Sequence, residues 1–165
     1  LGRLTKIKRP DRVLELAKQF PQIKFAIGGE GELDAQLKAA ATNNVKFLDW
    51  VDPKEFWPTC DIALLTSDNE AQPIALIEAA SYGLPLIAED VGSVSDVLTN
   101  NENGFLVNNN QERNTALEKL INDPKLRESM GSNAADSAQK LFGRDQFITA
   151  HESAYQAAIQ AHKAR

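Results

Sequence analysis

Ser67-Asp68-Asn69-Glu70-Ala71-Gln72-Pro73-Ile74-Ala75-Leu76-Ile77-Glu78-Ala79-Ala80 is the stretch on which the reading of this chain turns. Directly before it, Asp61-Ile62-Ala63-Leu64-Leu65 is a short apolar run with the length and composition of a buried strand. Pro73 has its φ preset for the first helical position, where a missing N–H costs nothing. From Pro73 to Tyr82 nothing breaks a helix, and Gly83 followed by Pro85 ends it. The stretch therefore predicts strand, polar loop and helix, with unpaired backbone N–H groups around residues 73–76 facing the loop. A helix start of this kind attracts phosphate through its dipole and its free donors.

Two carboxylates flank that point. Glu70 lies in the loop, and Glu78 lies five residues after Pro73, roughly 7–8 Å along a helix axis at ~1.5 Å per residue. An anion at the helix start would have a hydroxyl-seeking carboxylate on each side. A nucleoside diphosphate sugar offers its groups in that order: ribose diol, diphosphate, sugar hydroxyls. The residues alone also allow a plainer reading, in which Glu78 caps or pairs within an ordinary helix and Glu70 is solvated.

Outward from this segment, short apolar runs alternate with helical stretches. Leu1-Gly2-Arg3-Leu4 reads as the tail of a strand whose beginning is missing, and Pro10 starts a helix through Phe20. Ile23–Ile27 is the next strand, followed by Gly28-Gly29-Glu30-Gly31-Glu32-Leu33. These glycines do not have dinucleotide-binding spacing, because Asp34 occupies the third glycine position and no acidic residue ends a second strand nearby. Val45–Leu48 is a strand and Pro53–Thr59 a short helix carrying Phe56 and Trp57. Trp50, just after the strand, could pack or stack on a base. Leu84–Ala88 and Phe105–Val107 are further strands, the second opened by the Asn103-Gly104 turn. From Gln111 the chain is helical, with breaks at Asp123-Pro124 and Phe142-Gly143-Arg144.

This alternation predicts an α/β domain with a parallel sheet covered by helices on both faces. Ligands bind such sheets outside the carboxyl ends of the strands. Arg3, Lys8, Gly28–Gly31, Glu70 and Gly92 all fall just after predicted strands. They are expected to converge on one solvent-open edge although they are scattered in sequence.

A length of 165 residues is natural for one domain and enough for a real core. The net charge of −5 argues against a nucleic-acid backbone or an anionic membrane as the main partner. One cysteine, Cys60, rules out an internal disulfide framework and fits a cytoplasmic location. No signal peptide stands out, and no apolar run approaches the ~18 residues of a membrane span. His151 and His162 sit in a polar helical tail without acidic or cysteine partners at ligand spacing, and no metal site is expected.

Glu70, seven intervening residues and Glu78 resemble the E-x7-E motif of the GT-B retaining glycosyltransferases of family 4 (group 1), where it lies in the C-terminal, donor-binding domain. The resemblance covers nearly all of the chain. In that family the opening stretch reads G-R-L, a variable loop, then K-G. Gly2, Arg3 and Lys8 match, and Arg9 stands in the place of the second glycine. Gly28, Gly29 and Gly31 look like the family's G-x-G turn, whose backbone passes close to the nucleotide. Asp49 occupies a position that is commonly glycine. Glu89–Asp96 resembles the loop G-G-x-x-E: Gly92 matches, Ser93 replaces glycine and Asp96 replaces glutamate.

The resemblance implies a Rossmann-like three-layer fold, the C-terminal half of a GT-B enzyme. It implies that Glu70 positions the transferred sugar and Glu78 binds the ribose hydroxyls. Arg3 and Lys8, with the helix start at Pro73, Ile74, Ala75 and Leu76, would hold the diphosphate. The substrate would be a nucleoside diphosphate sugar, with neither a metal nor another cofactor. The expected partner is a missing N-terminal acceptor-binding domain, touched by the helix over 144–165. Without it, the chain is expected to bind a sugar nucleotide and transfer nothing. Two other classes compete. A GT-B-like epimerase or phosphorylase need not carry E-x7-E, and a pyridoxal-phosphate phosphorylase would need a lysine near this edge, where only Lys8 is available. A flavodoxin-like regulatory module typically shows a carboxylate cluster after its first strands, which this chain lacks.

Overall fold

Short apolar runs bounded by Gly, Pro and Asn form parallel strands, and the longer amphipathic stretches between them return as helices. The computed structural model describes residues 1–163. Strand β1 (Phe25–Ile27) pairs in parallel with β2 (Val45–Phe47), Phe25 lying opposite Val45. Strands β3 (Ala63–Leu65), β4 (Leu86–Glu89) and β5 (Gly104–Val107) make a second parallel sheet in the order β3-β4-β5. Ala63 lies opposite Leu86, and Leu86 opposite Gly104. The helices are α1 (Asp11–Gln19), α2 (Asp34–Ala40), α3 (Pro53–Phe56), α4 (Ile74–Ser81), α5 (Asn110–Asn122), α6 (Pro124–Phe142) and α7 (Arg144–Lys163).

Helices cover both faces of the three-stranded sheet. Leu76, Ala79 and Ala80 of α4 and Ala134 and Ala138 of α6 pack with Leu86 and Ala88 on one side. Leu16 and Ala17 of α1 and Ala116, Leu117 and Leu120 of α5 pack with Ile87 and Phe105 on the other. Every residue of β4 is buried, as the central strand of a doubly covered parallel sheet must be. Phe25 of β1 joins the second of these clusters, so the two sheets share a core. Asn109 and Asp123 cap the next helices, accepting from the backbone N–H of Glu112 and Leu126.

Three local expectations change. Leu1–Leu4 is extended but is not a strand: the Gly2 N–H donates to the Gly28 carbonyl at 2.9 Å and the Leu4 N–H to Glu30 at 2.9 Å. The strands fall into two sheets instead of one. Pro73 caps α4 from outside, at φ −81° and ψ 70°, and the first helical residue is Ile74. The helix breaks lie where Pro124 and Gly143 place them, since Pro124 opens α6 and Gly143 separates α6 from α7. The expected terminal helix over 144–165 is seen as far as Lys163; residues 164 and 165 lie outside the described residues.

Candidate functional site

The site is built from five connections that leave the carboxyl ends of the extended segments, those after Leu1–Leu4, β1, β2, β3 and β4. The loop after β3 carries Glu70, which is only 6% exposed. Its Oε1 accepts from Lys8 Nζ at 2.7 Å and from the Ser67 hydroxyl at 2.6 Å. A carboxylate this deeply buried requires such partners. Lys8 itself ends a short 3-10 turn (Lys6–Lys8) that is fastened to the end of β3. The Thr66 hydroxyl donates to the Lys8 and Arg9 carbonyls at 3.1 and 2.9 Å, and the Asp68 N–H to the Ile7 carbonyl at 2.8 Å. Arg12 adds a bond to the Thr66 carbonyl and an ion pair with Asp68, both at 2.8 Å.

Glycines allow the loops after β1 and β4 to press against their neighbours. A Cβ on Gly29 would collide with the Gly2 carbonyl, and one on Gly31 with the Leu4 carbonyl. The Gly29 N–H donates to the Asp49 carbonyl, which brings the loop after β2 alongside. Asp49 has φ 48°, left-handed backbone at a position where the related pattern has glycine, and Lys38 Nζ holds its carboxylate at 2.8 Å. Gly92, at φ 55°, lies directly under the Glu70 carbonyl, and the Ser93 N–H donates to that carbonyl at 3.0 Å. The backbone of Glu70 is thus supported by the loop after β4.

Glu78 is half-buried on α4, and its Oε2 accepts from the indole N–H of Trp57 at 3.3 Å. The start of α4 offers fewer donors than the sequence implies. The Ile74 N–H donates to the Gln72 carbonyl and the Leu76 N–H to Pro73, each at 2.9 Å. Among residues 74–76 only the Ala75 N–H lacks a backbone acceptor.

One cavity of about 1540 Å³ runs past these groups. It is lined by Gly2, Arg3, Lys8, Gly28, Gly29, Glu70, Pro73, Ile74, Ala75 and Glu78, so ten of the sequence-derived site residues meet in one place. Gly31 and Leu76 do not line it. Gly31 is explained by its close approach to Leu4, and Leu76 is a core residue at 1% exposure. Arg3 is exposed, whereas Lys8 is half-buried and paired with Glu70. Cys60 also lines the cavity, and burial pushes its thiol above the ordinary range. Among the described residues no group of three or more His, Cys, Asp or Glu could hold a metal ion. His151 and His162 are exposed on α7.

Ser67, Thr66, Trp57 and Ser93 were not legible as site residues. Trp57 lies 21 residues from Glu78 on a different element, so no spacing in the sequence links the indole to its acceptor. Arranged this way, Arg3, Lys8, Glu70 and Glu78 bring to the cavity a guanidinium, an ammonium shared with Glu70, and two carboxylates. That set suits a ligand with a central polyanion and hydroxyl groups at both ends.

Residues 1–137 match the family model described as glycosyl transferases group 1. The chain belongs to this family. Over 143 residues it is 35% identical to an uncharacterized glycosyltransferase of Haemophilus influenzae, covering 76% of this chain and 39% of that protein. It is 32% identical over 126 residues to the O-antigen biosynthesis glycosyltransferase WbnH of Escherichia coli, covering 74% of this chain and 37% of that one. This group 1 domain thus spans about two-fifths of the length of these curated relatives. Among solved structures it resembles the C-terminal domain of a group 1 glycosyl transferase from Francisella tularensis, at 25% identity and TM-score 0.75. That match covers 87% of this chain and 84% of that one. The fold is also shared, at TM-score 0.82 and 24% identity, with Anabaena HepE in complex with UDP-glucose, over 93% of this chain and 47% of that one. These neighbours establish the α/β, Rossmann-like fold of a GT-B half. No helix among the described residues is long and apolar enough to cross a membrane.

Proposed function

We propose that this domain is the donor-binding half of a retaining glycosyltransferase that takes a sugar from a nucleoside diphosphate sugar. The observation that carries the reading is the meeting of Arg3, Lys8, Glu70 and Glu78 on one cavity at the carboxyl ends of parallel strands. Glu78, oriented by Trp57, takes the ribose hydroxyls. Arg3 and the Ala75 N–H take the diphosphate. Lys8 has three donors, so it can keep its bond to Glu70 while turning another N–H to phosphate. Glu70 then receives hydroxyls of the transferred sugar through its second oxygen.

Negative charge grows on the leaving diphosphate as the glycosidic bond breaks. Fixed cations and a fixed N–H aimed at that charge lower the barrier, because they need no rearrangement at the moment of reaction. Arg3 and Lys8 meet the charge, so the reading needs no metal and no organic cofactor. An acceptor-binding domain would complete the cleft, and α7 carries Phe147, Ile148, Tyr155 and Ile159 exposed for such a contact. A cytoplasmic location belongs to the same reading. The neighbour complexes with UDP and UDP-glucose support starting the search with uridine nucleotides.

Calorimetry with UDP-, GDP-, ADP- and dTDP-sugars tests the proposal. One of them is expected to bind; Glu78→Gln should weaken the free nucleoside diphosphate and its sugar equally. Glu70→Gln should weaken only the sugar nucleotide. Equal effects of both substitutions on both ligands would refute this division of roles, and no binding of any of the four by the folded domain would refute the function.

A further inference from the structure

Arg12 does not line the cavity, yet the groups around Glu70 are fastened to it. It is the second residue of α1, where a cation opposes the helix dipole, so the helix itself gives no reason for a charge at this position. Its guanidinium is held from three sides. Nη1 donates to the Thr66 carbonyl at 2.8 Å, Nη2 meets Asp68 Oδ1 at 2.8 Å, and Nη1 lies 3.9 Å from Glu89 Oε1. Glu89 closes β4 at 4% exposure and is itself fixed. The buried Arg113 of α5 donates to the same Oε1 through Nε at 2.8 Å and bonds it through Nη2, while its Nη1 donates to the Asn110 side-chain oxygen at 2.8 Å. Buried charges of this kind are a poor source of stability, because apolar residues of similar volume often do as well.

What Arg12 grips decides its use. Thr66 and Asp68 stand on either side of Ser67, whose hydroxyl donates to Glu70 Oε1 at 2.6 Å. The same two residues hold the backbone around Lys8. The Thr66 hydroxyl donates to the Lys8 and Arg9 carbonyls, and the Asp68 N–H to the Ile7 carbonyl. One guanidinium therefore fixes the segments that carry both side-chain partners of Glu70, the Ser67 hydroxyl and the Lys8 ammonium.

We propose that Arg12 is a positioning residue: without touching the ligand, it sets Lys8 and Ser67 against Glu70 and so aims that carboxylate into the cavity. The planar fork of arginine can serve the Thr66 carbonyl and the Asp68 carboxylate at once and fix the angle between them. A lysine would offer only a point charge on a flexible stem. The consequence for sugar binding rests on the donor-binding role proposed above, whereas the effect on Lys8 and Glu70 does not.

The first test needs no ligand. The coupling between Lys8 and Glu70 is read from urea unfolding of Lys8→Met, Glu70→Gln and the double variant, once in the native chain and once in Arg12→Lys. Arg12→Lys keeps a cation beside Glu89 and Asp68, so it folds, and the coupling should fall by at least half. Asp68→Asn removes one of the three grips at a half-exposed position and should lower the coupling by less. Reduced stability with the full coupling retained in both chains would overturn the proposal, because Arg12 would then be structural only. Calorimetry adds a second readout, with the UDP-, GDP-, ADP- or dTDP-sugar that binds and its free nucleoside diphosphate. In Arg12→Lys the affinity for the sugar nucleotide should fall about tenfold and that for the nucleoside diphosphate by less, since Glu70 meets only the sugar. Unchanged affinity for both would also overturn the role of Arg12. Absence of binding by the native chain would refute the donor role alone, and the coupling would still decide the role of Arg12.

Discussion

Lys8 and Glu70 form a pair whose energetic coupling can be measured without any ligand. Glu70 is 6% exposed, and the Lys8 side chain is 30% exposed. Replacing Lys8 with Met keeps the length of the apolar stem and removes the charge. Glu70 then retains only the Ser67 hydroxyl at its Oε1. Removing one partner of a fully buried pair costs about 3–5 kcal/mol, whereas exposed pairs are worth about 0–1 kcal/mol. Lys8 keeps partial contact with water, so Lys8→Met should cost about 1–3 kcal/mol. At about 2–4 °C per kcal/mol for a chain of this size, the thermal midpoint falls by about 5 °C for a 2 kcal/mol loss. Glu70→Gln removes the charge from the other side, and the double variant leaves no orphan ion. Urea unfolding of all four proteins at pH 7 and low salt gives the cycle, with an expected coupling of about 1–2 kcal/mol. Additivity within about 0.3 kcal/mol would show that the 2.7 Å contact carries no coupling, and the reasoning from burial would fail.

Other outcomes follow from neighbouring groups. The Arg9 guanidinium bonds Asp11 and holds its carboxyl below the ordinary range, so the pair adds stability above about pH 4 that is lost as pH falls through the depressed value. Asp11→Asn should therefore flatten the acid limb of a stability-versus-pH curve measured by urea unfolding. Cys60, pushed up by burial, should alkylate with iodoacetamide at pH 7.5 markedly more slowly than a free thiol, and the rate should rise in urea. Asn103 is 1% exposed, donates to the Val97 carbonyl and accepts from the Thr99 N–H. Asn103→Ala should cost about 1–3 kcal/mol in the same unfolding assay, because it leaves both groups unpaired.

The alternation of apolar runs with amphipathic stretches was enough to place the elements, because each strand needs two apolar faces and each helix one. Element ends were less legible. Ile23 and Lys24 belong to the same apolar run as Phe25, yet the ladder begins at Phe25, where the β2 partner begins. The candidate site was legible wherever a residue type has few uses: a glycine between strand and helix, or a lone basic residue after a strand end. Thr66, Ser67 and Ser93 were not, since a hydroxyl near a loop carries no spacing signal and its partners are distant in sequence. The helix start was over-read for a similar reason. Pro73 permits a helix from its own position, but its carbonyl takes the Leu76 N–H and its ψ of 70° sets it outside. Gly31 looked like part of a ligand turn, whereas the backbone of Leu4 alone accounts for it.

Arg9 has φ 47° and ψ 49°, left-handed backbone that costs a side-chain-bearing residue roughly 1–2 kcal/mol. Its guanidinium bonds Asp11 at 2.8 Å and reaches Asp68 at 3.5 Å, and both carboxylates are about half exposed. A glycine would hold the same bend through conformational freedom and be indifferent to ions. Here the bend is held by the Thr66 hydroxyl on the Lys8 and Arg9 carbonyls and, in part, by charges that salt screens over about 8–10 Å at physiological strength. The adjoining ammonium of Lys8 is thus carried on a bend held in part by ion pairs that the medium weakens. Affinity for a diphosphate should then decline with salt faster than the ligand's own charge accounts for, and Arg9→Gly should bring the two back into line.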